Sequence, residues 1–131
     1  MDTAMNELKA KIQDDPYLKY LGITLDELEK GRAVCSLTVT KDMMNFLNFT
    51  HGGLIFSLAD VAFSAASNSD HLPSCALDVS GSFLKSAAVG DRVTAEAKLI
   101  HTTKRTGVYR MDVRNNGELI ATFNGTVFRR V

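Results

Sequence analysis

The sequence predicts an α+β domain in which one antiparallel sheet curls around a single buried helix. Three observations carry this expectation. Residues 54–68 place Leu54, Ile55, Leu58, Val61, Ala62 and Phe63 around a helix with almost no polar face, so that helix needs protein on nearly every side. The stretch "LGITLDELEKGRAVCSLTVT", Leu21 to Thr40, alternates about a Lys-Gly turn with Ala33, Cys35, Leu37 and Val39 on one face, as a β-hairpin does. Strand-like segments then fill 74–85, 91–103, 106–116 and 118–129, separated by "AAVGD", "TKRTG" and "NNG", each with the glycine that tight turns favour. Helix, hairpin, buried helix and four-strand meander, in that order, suit a sheet wrapped around a helix.

Ahead of the hairpin, Met5, Leu8 and Ile12 recur at helical spacing behind Asp2 and Thr3 as caps, which predicts a short amphipathic helix over 3–13 ending before Pro16. The chain has 131 residues, 45% of them hydrophobic, enough for one domain spanning 1–131 with a real core. Fifteen basic and fifteen acidic residues give a formal net charge of zero, so long-range electrostatics advertise neither a nucleic-acid partner nor an anionic membrane. The longest apolar stretch is shorter than a membrane span and is broken by Asp60, and the N-terminus is acidic and amphipathic where a signal peptide is basic and then apolar. A cytoplasmic protein is expected. Cys35 and Cys75 lie in strand-like segments with no pairing motif and read as two small core residues.

The informative stretch is "MMNFLNFTHGGLIFSLAD". Its Asn45, His51, Gly52, Gly53, the Leu58-Ala59 pair and Asp60 resemble, in type and spacing, the hotdog-fold acyl-CoA thioesterases, in particular the branch associated with phenylacetate degradation. The resemblance extends more weakly from "LGITL" to the C-terminus. That family usually has Gly where this chain has Asn48, and commonly Ser or Thr where it has Ala76. The resemblance implies a hotdog fold, hydrolysis of an acyl-CoA with coenzyme A as part of the substrate and no cofactor, and a homodimer assembling to a homotetramer.

The chemistry is also legible in the residues. Thioester hydrolysis develops negative charge on the carbonyl oxygen and needs a water or carboxylate to attack its carbon, so a site wants N–H donors plus a base. His51-Gly52-Gly53 stands where the buried helix begins, and its glycines let an acyl group approach the backbone. The Gly53 N–H is the expected oxyanion donor, Asp60 the base or nucleophile, and Asn45 orients the water or the thioester. His51 is expected to shape the loop through hydrogen bonds. A buried carboxylate without a partner is costly, so Asp60 must have one. Seven helical residues advance about 10 Å, which places Gly53 and Asp60 of one chain too far apart to serve one carbonyl. Two antiparallel helices about a two-fold axis would bring Asp60 of one chain opposite Gly53 of the other, where the positive helix end keeps it ionised.

Lys104 and Arg105, with Arg129 and Arg130, are candidates for the phosphates of coenzyme A. Phe46, Phe49, Phe56 and Phe63 read as core or interface, with Phe56, beside Gly52, the one taken to touch substrate. The acyl group is left open between a small aromatic and a medium-chain one. His51, His71 and His101 have no HxxH or CxxC context, no GxSxG surrounds a serine, and the glycine pair lacks the Lys-Ser/Thr of a phosphate loop, so neither metal nor nucleotide chemistry is expected. Two rivals remain: a hotdog-fold acyl-CoA hydratase or dehydratase, which would need His51 as a proton carrier, and a non-catalytic acyl-CoA-binding sensor, which would carry a DNA-binding domain ahead of the fold where only 20 residues precede "LGITL".

Overall fold

The protein is described by a computed structural model over residues 2–130. Helix α1, Thr3–Gln13, opens with Asp2 accepting the Met5 N–H (3.1 Å) as N-cap. A second helix, α2, follows over Pro16–Leu21, capped by the Asp15 carboxylate on the Tyr17 N–H and closed by Gly22 at φ 69°. It was not expected. Six residues are too few to display a period, although Asp-Pro at the entry and glycine in the left-handed region at the exit are the punctuation of a helix.

The sheet has six antiparallel strands: β1 (Thr24–Glu29), β2 (Arg32–Thr38), β3 (Ser74–Phe83), β4 (Arg92–Thr102), β5 (Thr106–Asn115) and β6 (Glu118–Arg129). Their spatial order is β1-β2-β4-β5-β6-β3. The expected four-strand meander is therefore corrected: only β4, β5 and β6 run as a meander, and β3 pairs with β6 at the far edge. The "AAVGD" segment is not a hairpin turn. It crosses to β4, whose other neighbour is β2, and is pinned by Thr50, whose hydroxyl accepts the Ala87 N–H (2.6 Å) and donates to the Ala87 carbonyl (2.9 Å).

Helix α3, Gly52–Ser67, lies against β2, β4 and β5. Leu58, Ala62 and Phe63 are among its fully buried residues, and they meet Leu37, Val93, Met111 and Val113 from the sheet in one core. Phe63 fits only because residue 125 has no side chain; a Cβ there would stand 2.7 Å from the ring. The helix is not surrounded within one protomer, however. Gly52, Gly53, Phe56, Ser57, Asp60 and Ser64 form a stripe that the sheet leaves uncovered.

The two sheet edges are treated oppositely. The β1 edge is closed by α1: Gln13 donates to the Ile23 carbonyl (3.0 Å) and accepts the Leu25 N–H (2.7 Å), and Lys9 donates to the Asp26 carbonyl (3.0 Å). The β3 edge has no such cover among the described residues, and Cys75, Leu77 and Phe83 on it are exposed. Cys75 is thus not the core residue expected. Cys35 is buried, and burial pushes its thiol up to about 12. Neither cysteine is in a disulfide.

Candidate active site

The site is built from the entrance to α3. Residues 44–50 make a tight loop closed by a bridge between Met44 and Thr50. Asn45 organises it: its Oδ1 accepts the N–H groups of Leu47 (2.9 Å) and Phe49 (3.1 Å), and its own N–H donates to the Phe49 carbonyl (2.7 Å). Its side-chain amide hydrogens have no partner among the described residues. Asn48 stands at φ 62°, a conformation that glycine adopts freely and asparagine tolerates best among other residues; the departure from glycine therefore keeps the loop geometry.

His51 is the N-cap of α3, with Nδ1 accepting the Gly53 N–H at 3.1 Å. Nδ1 is therefore unprotonated in this arrangement, and a neutral ring carries its proton on Nε2. The expected donor, Gly53, is occupied within its own chain. The neighbouring Gly52 N–H has no partner among the described residues. Around it lies a groove of about 340 Å³ lined by Phe49, Ile55, Phe83 and Leu84, with Thr50, Lys85 and Ser86.

Asp60 lies two turns further along α3, half-buried, with no hydrogen bond or ion pair among the described residues. Burial alone pushes its carboxyl above the ordinary value of 3.8. The partner that the sequence demanded is not within the protomer. The carboxyl opens instead on a small cavity of about 200 Å³ that also meets Ser64, Ser67, Ser74 and Cys75. Ser64 sits one turn from Asp60 on the same face. Between Asp60 and Gly53, Ser57 Oγ donates to the Gly53 carbonyl (2.8 Å), and since that spends its only hydrogen, the Tyr17 hydroxyl 2.7 Å away is the donor to it. The serines escaped sequence reading because serine is common at any helix position; their one available signal was the spacing 57, 60, 64, which recurs on one face.

The structure gathers Lys104 and Arg105 with Arg129 and Arg130 around a hollow of about 440 Å³ floored by Phe128. Arg129 is tied to Asp70 (2.9 Å); the other three have no acidic partner among the described residues. Phe56 is part of the open stripe, its ring edge-on to Phe123 at 5.7 Å. Phe63 is core, Phe46 is fully in solvent and Phe49 half so. In a groove on the outer sheet face, about 410 Å³, Arg32 holds Glu96 (2.6 Å) and Glu27 (3.2 Å) and Asp112 holds Arg110 (3.0 Å), while Arg92 has no acidic partner among the described residues and donates to the hydroxyls of Ser36 (2.9 Å) and Thr38 (3.0 Å). Among the described residues no group of three or more His, Cys, Asp or Glu is placed to bind a metal ion, and no helix is long and apolar enough to cross a membrane.

A single long helix wrapped by a six-stranded antiparallel sheet is the hotdog architecture. Residues 47–121, more than half of the chain, match the Thioesterase superfamily, and the chain belongs to that family: it is a thioester hydrolase. It is 38% identical to acyl-coenzyme A thioesterase PaaI of Escherichia coli K12, over 96% of this chain and 91% of that protein. The solved structure of the E. coli PaaI protein from the phenylacetic acid degradation operon superposes with a TM-score of 0.92, covering 98% of this chain and 94% of that one at 37% identity. A point mutant of the phenylacetic acid degradation protein PaaI from Thermus thermophilus gives 0.85, with 89% of this chain and all of that one covered, also at 37% identity.

Proposed function

We propose that the protein hydrolyses acyl-CoA thioesters to the free acid and coenzyme A, at a site completed by two protomers. The single observation that carries this is the incompleteness of the protomer: an open N–H at the start of α3 and an unpartnered carboxylate two turns on, along an uncovered stripe beside an unpaired strand edge. Pairing β3 and α3 of two copies about a two-fold axis covers both at once. It places Asp60 of one protomer against the α3 entrance of the other, and the apolar groove at Gly52 against the polar cavity at Asp60.

In that arrangement the thioester carbonyl oxygen is received by the Gly52 N–H. The Gly53 N–H is in reserve whenever the His51 ring turns away, so His51 and Gly53 act together on the oxyanion. Asn45, fixed by the loop amides, directs its unused N–H groups at the thioester or the water. The cavity beside Asp60 has room for a water held by Ser64, and this favours Asp60 as general base over nucleophile. The water gives its proton to Asp60 as its oxygen bonds to the acyl carbon. The C–S bond then breaks, the electron pair leaves on sulfur, and the proton passes to the thiolate. The hollow at Lys104 and Arg105 suits the phosphates of coenzyme A, and Phe56 borders the reacting atoms.

The test is release of free thiol from a panel of acyl-CoA thioesters, small aromatic and medium-chain. Release from one or more is expected; binding of all without release from any would sink the proposal. A single turnover in heavy-oxygen water separates the two roles of Asp60, since a general base leaves that carboxyl unlabelled and an anhydride intermediate labels it.

A further inference from the structure

Resting on the two-protomer site just proposed, we infer that the two copies join along β3 in one register, with Ser80 facing Ser80 across the two-fold axis, and that Asn68 is the positioning residue that fixes it. The first argument is an accounting of backbone groups. In an antiparallel ladder, successive residues turn their N–H and C=O alternately toward one neighbour and the other. Two hydrogen bonds to β6 set this phase on β3: the Arg130 N–H donates to the Pro73 carbonyl (3.0 Å) at its start, and the Leu84 N–H to the Ile120 carbonyl (2.8 Å) at its end. Counted from these, across the irregularity between Ala76 and Asp78, the backbones of Ser74, Ala76, Val79, Gly81 and Phe83 face away from β6.

Ser74 is already spent. Asn68, at the C-cap of α3, lays its side-chain amide against it: Oδ1 accepts the Ser74 N–H (2.9 Å), and Nδ2 donates to the Ser74 carbonyl (3.3 Å) and to the Ser64 carbonyl (2.9 Å). Among the described residues the open edge therefore runs from Ala76 to Phe83. One two-fold register pairs all of it, Ala76 with Phe83 of the other copy and Val79 with Gly81, and its axis passes Ser80. The second argument comes from α3 and is independent of this count. Asp60 and Ala76 line one cavity, while a Cβ at Gly52 would stand 3.5 Å from the Phe83 ring. Setting Ala76 opposite Phe83 therefore carries Asp60 to the α3 entrance of the other copy, where the reaction needs it. Without Asn68, Ser74 joins the open edge and the strands gain a pairing of Ser74 with Phe83 about Val79. That slip moves one copy along the other by two residues, roughly 7 Å, and takes Asp60 off the open Gly52 N–H.

The experiment is oxidative cross-linking of the full-length protein by copper phenanthroline in a Cys75→Ser background, Cys35 being buried. Ser80 is exposed and directly opposite its own copy, where Cβ atoms stand about 4.5–5.5 Å apart. Ser80→Cys should therefore give a covalent dimer, read by mass, that keeps its thioesterase activity. Asp78→Cys, exposed on the same strand, should stay uncoupled, because its counterpart lies roughly 14 Å away. Adding Asn68→Ala to Ser80→Cys should remove most of the cross-link and lower kcat on the order of 10², in a protein whose folding circular dichroism confirms. Coupling through Asp78→Cys in preference to Ser80→Cys, or through neither, overturns the register, and thiol release by the wild-type protein still decides the thioesterase reading by itself. An Asn68→Ala protein that is only less stable, with cross-link and kcat retained, overturns the role given to Asn68.

Discussion

Asp60 is held in a protomer that offers its carboxylate nothing: burial raises its pKa and no donor lowers it. Two consequences carry opposite signs. A carboxyl whose folded pKa lies above its unfolded one favours the folded state while protonated, fully so below the unfolded value, and that contribution is lost as pH rises through the folded value. In a protomer separated from its partner, Asp60→Asn should therefore raise the melting temperature at neutral pH, and this gain should vanish in acid, where both proteins are uncharged at this position. As a base, Asp60 works only when ionised, so kcat/KM should fall tenfold per pH unit below an acid limb that lies above 3.8. The same Asp60→Asn change should lower kcat by about 10³ or more, with acyl-CoA binding largely kept. A variant that keeps over a tenth of wild-type kcat contradicts this account of the residue. Asp60 was visible in the sequence because one acid in an apolar helix is conspicuous. Which glycine presents the open N–H was not, because it depends on where the His51 ring lies and not on residue type.

At the scale of elements, α3 was legible because its apolar residues recur over four turns, and its extra residues at the start are the glycines that capping adds. Helix α2 was hidden by its shortness. Strand adjacency was hidden for a different reason: glycine and aspartate at Gly90-Asp91 look alike in a hairpin turn and in a crossover, and pairing partners distant in sequence leave no local mark. The apposition of α3 and β6 is tight enough to test. Gly125 lies against the Phe63 ring, so Gly125→Ala should destabilise the protein by about 1–3 kcal/mol through overpacking, read as a lower urea midpoint at unchanged slope. Gly117→Ala, at φ 83° with open space around it, should cost its stability through backbone strain alone. Equal stability of wild type and Gly125→Ala would mean that Phe63 is not packed as described.

At the scale of the molecule, one closed edge and one open edge suit the proposed pairing of two copies. The β1 edge is capped by Gln13 and Lys9, while the β3 edge and the α3 stripe lie side by side and unsatisfied. The account's central claim is that the Asn45 loop and the α3 entrance of one protomer work with Asp60 of another. It is tested most directly by refolding Asp60→Ala and Asn45→Ala proteins together, each nearly inactive alone. Random pairing makes about half the dimers mixed, each with one site carrying both changes and one carrying neither, so the mixture should recover roughly a quarter of wild-type activity. Activity no greater than the sum of the two separate variants, with mixed dimers confirmed by mass, would contradict the shared site and return Gly52, Gly53 and Asp60 to a single helix.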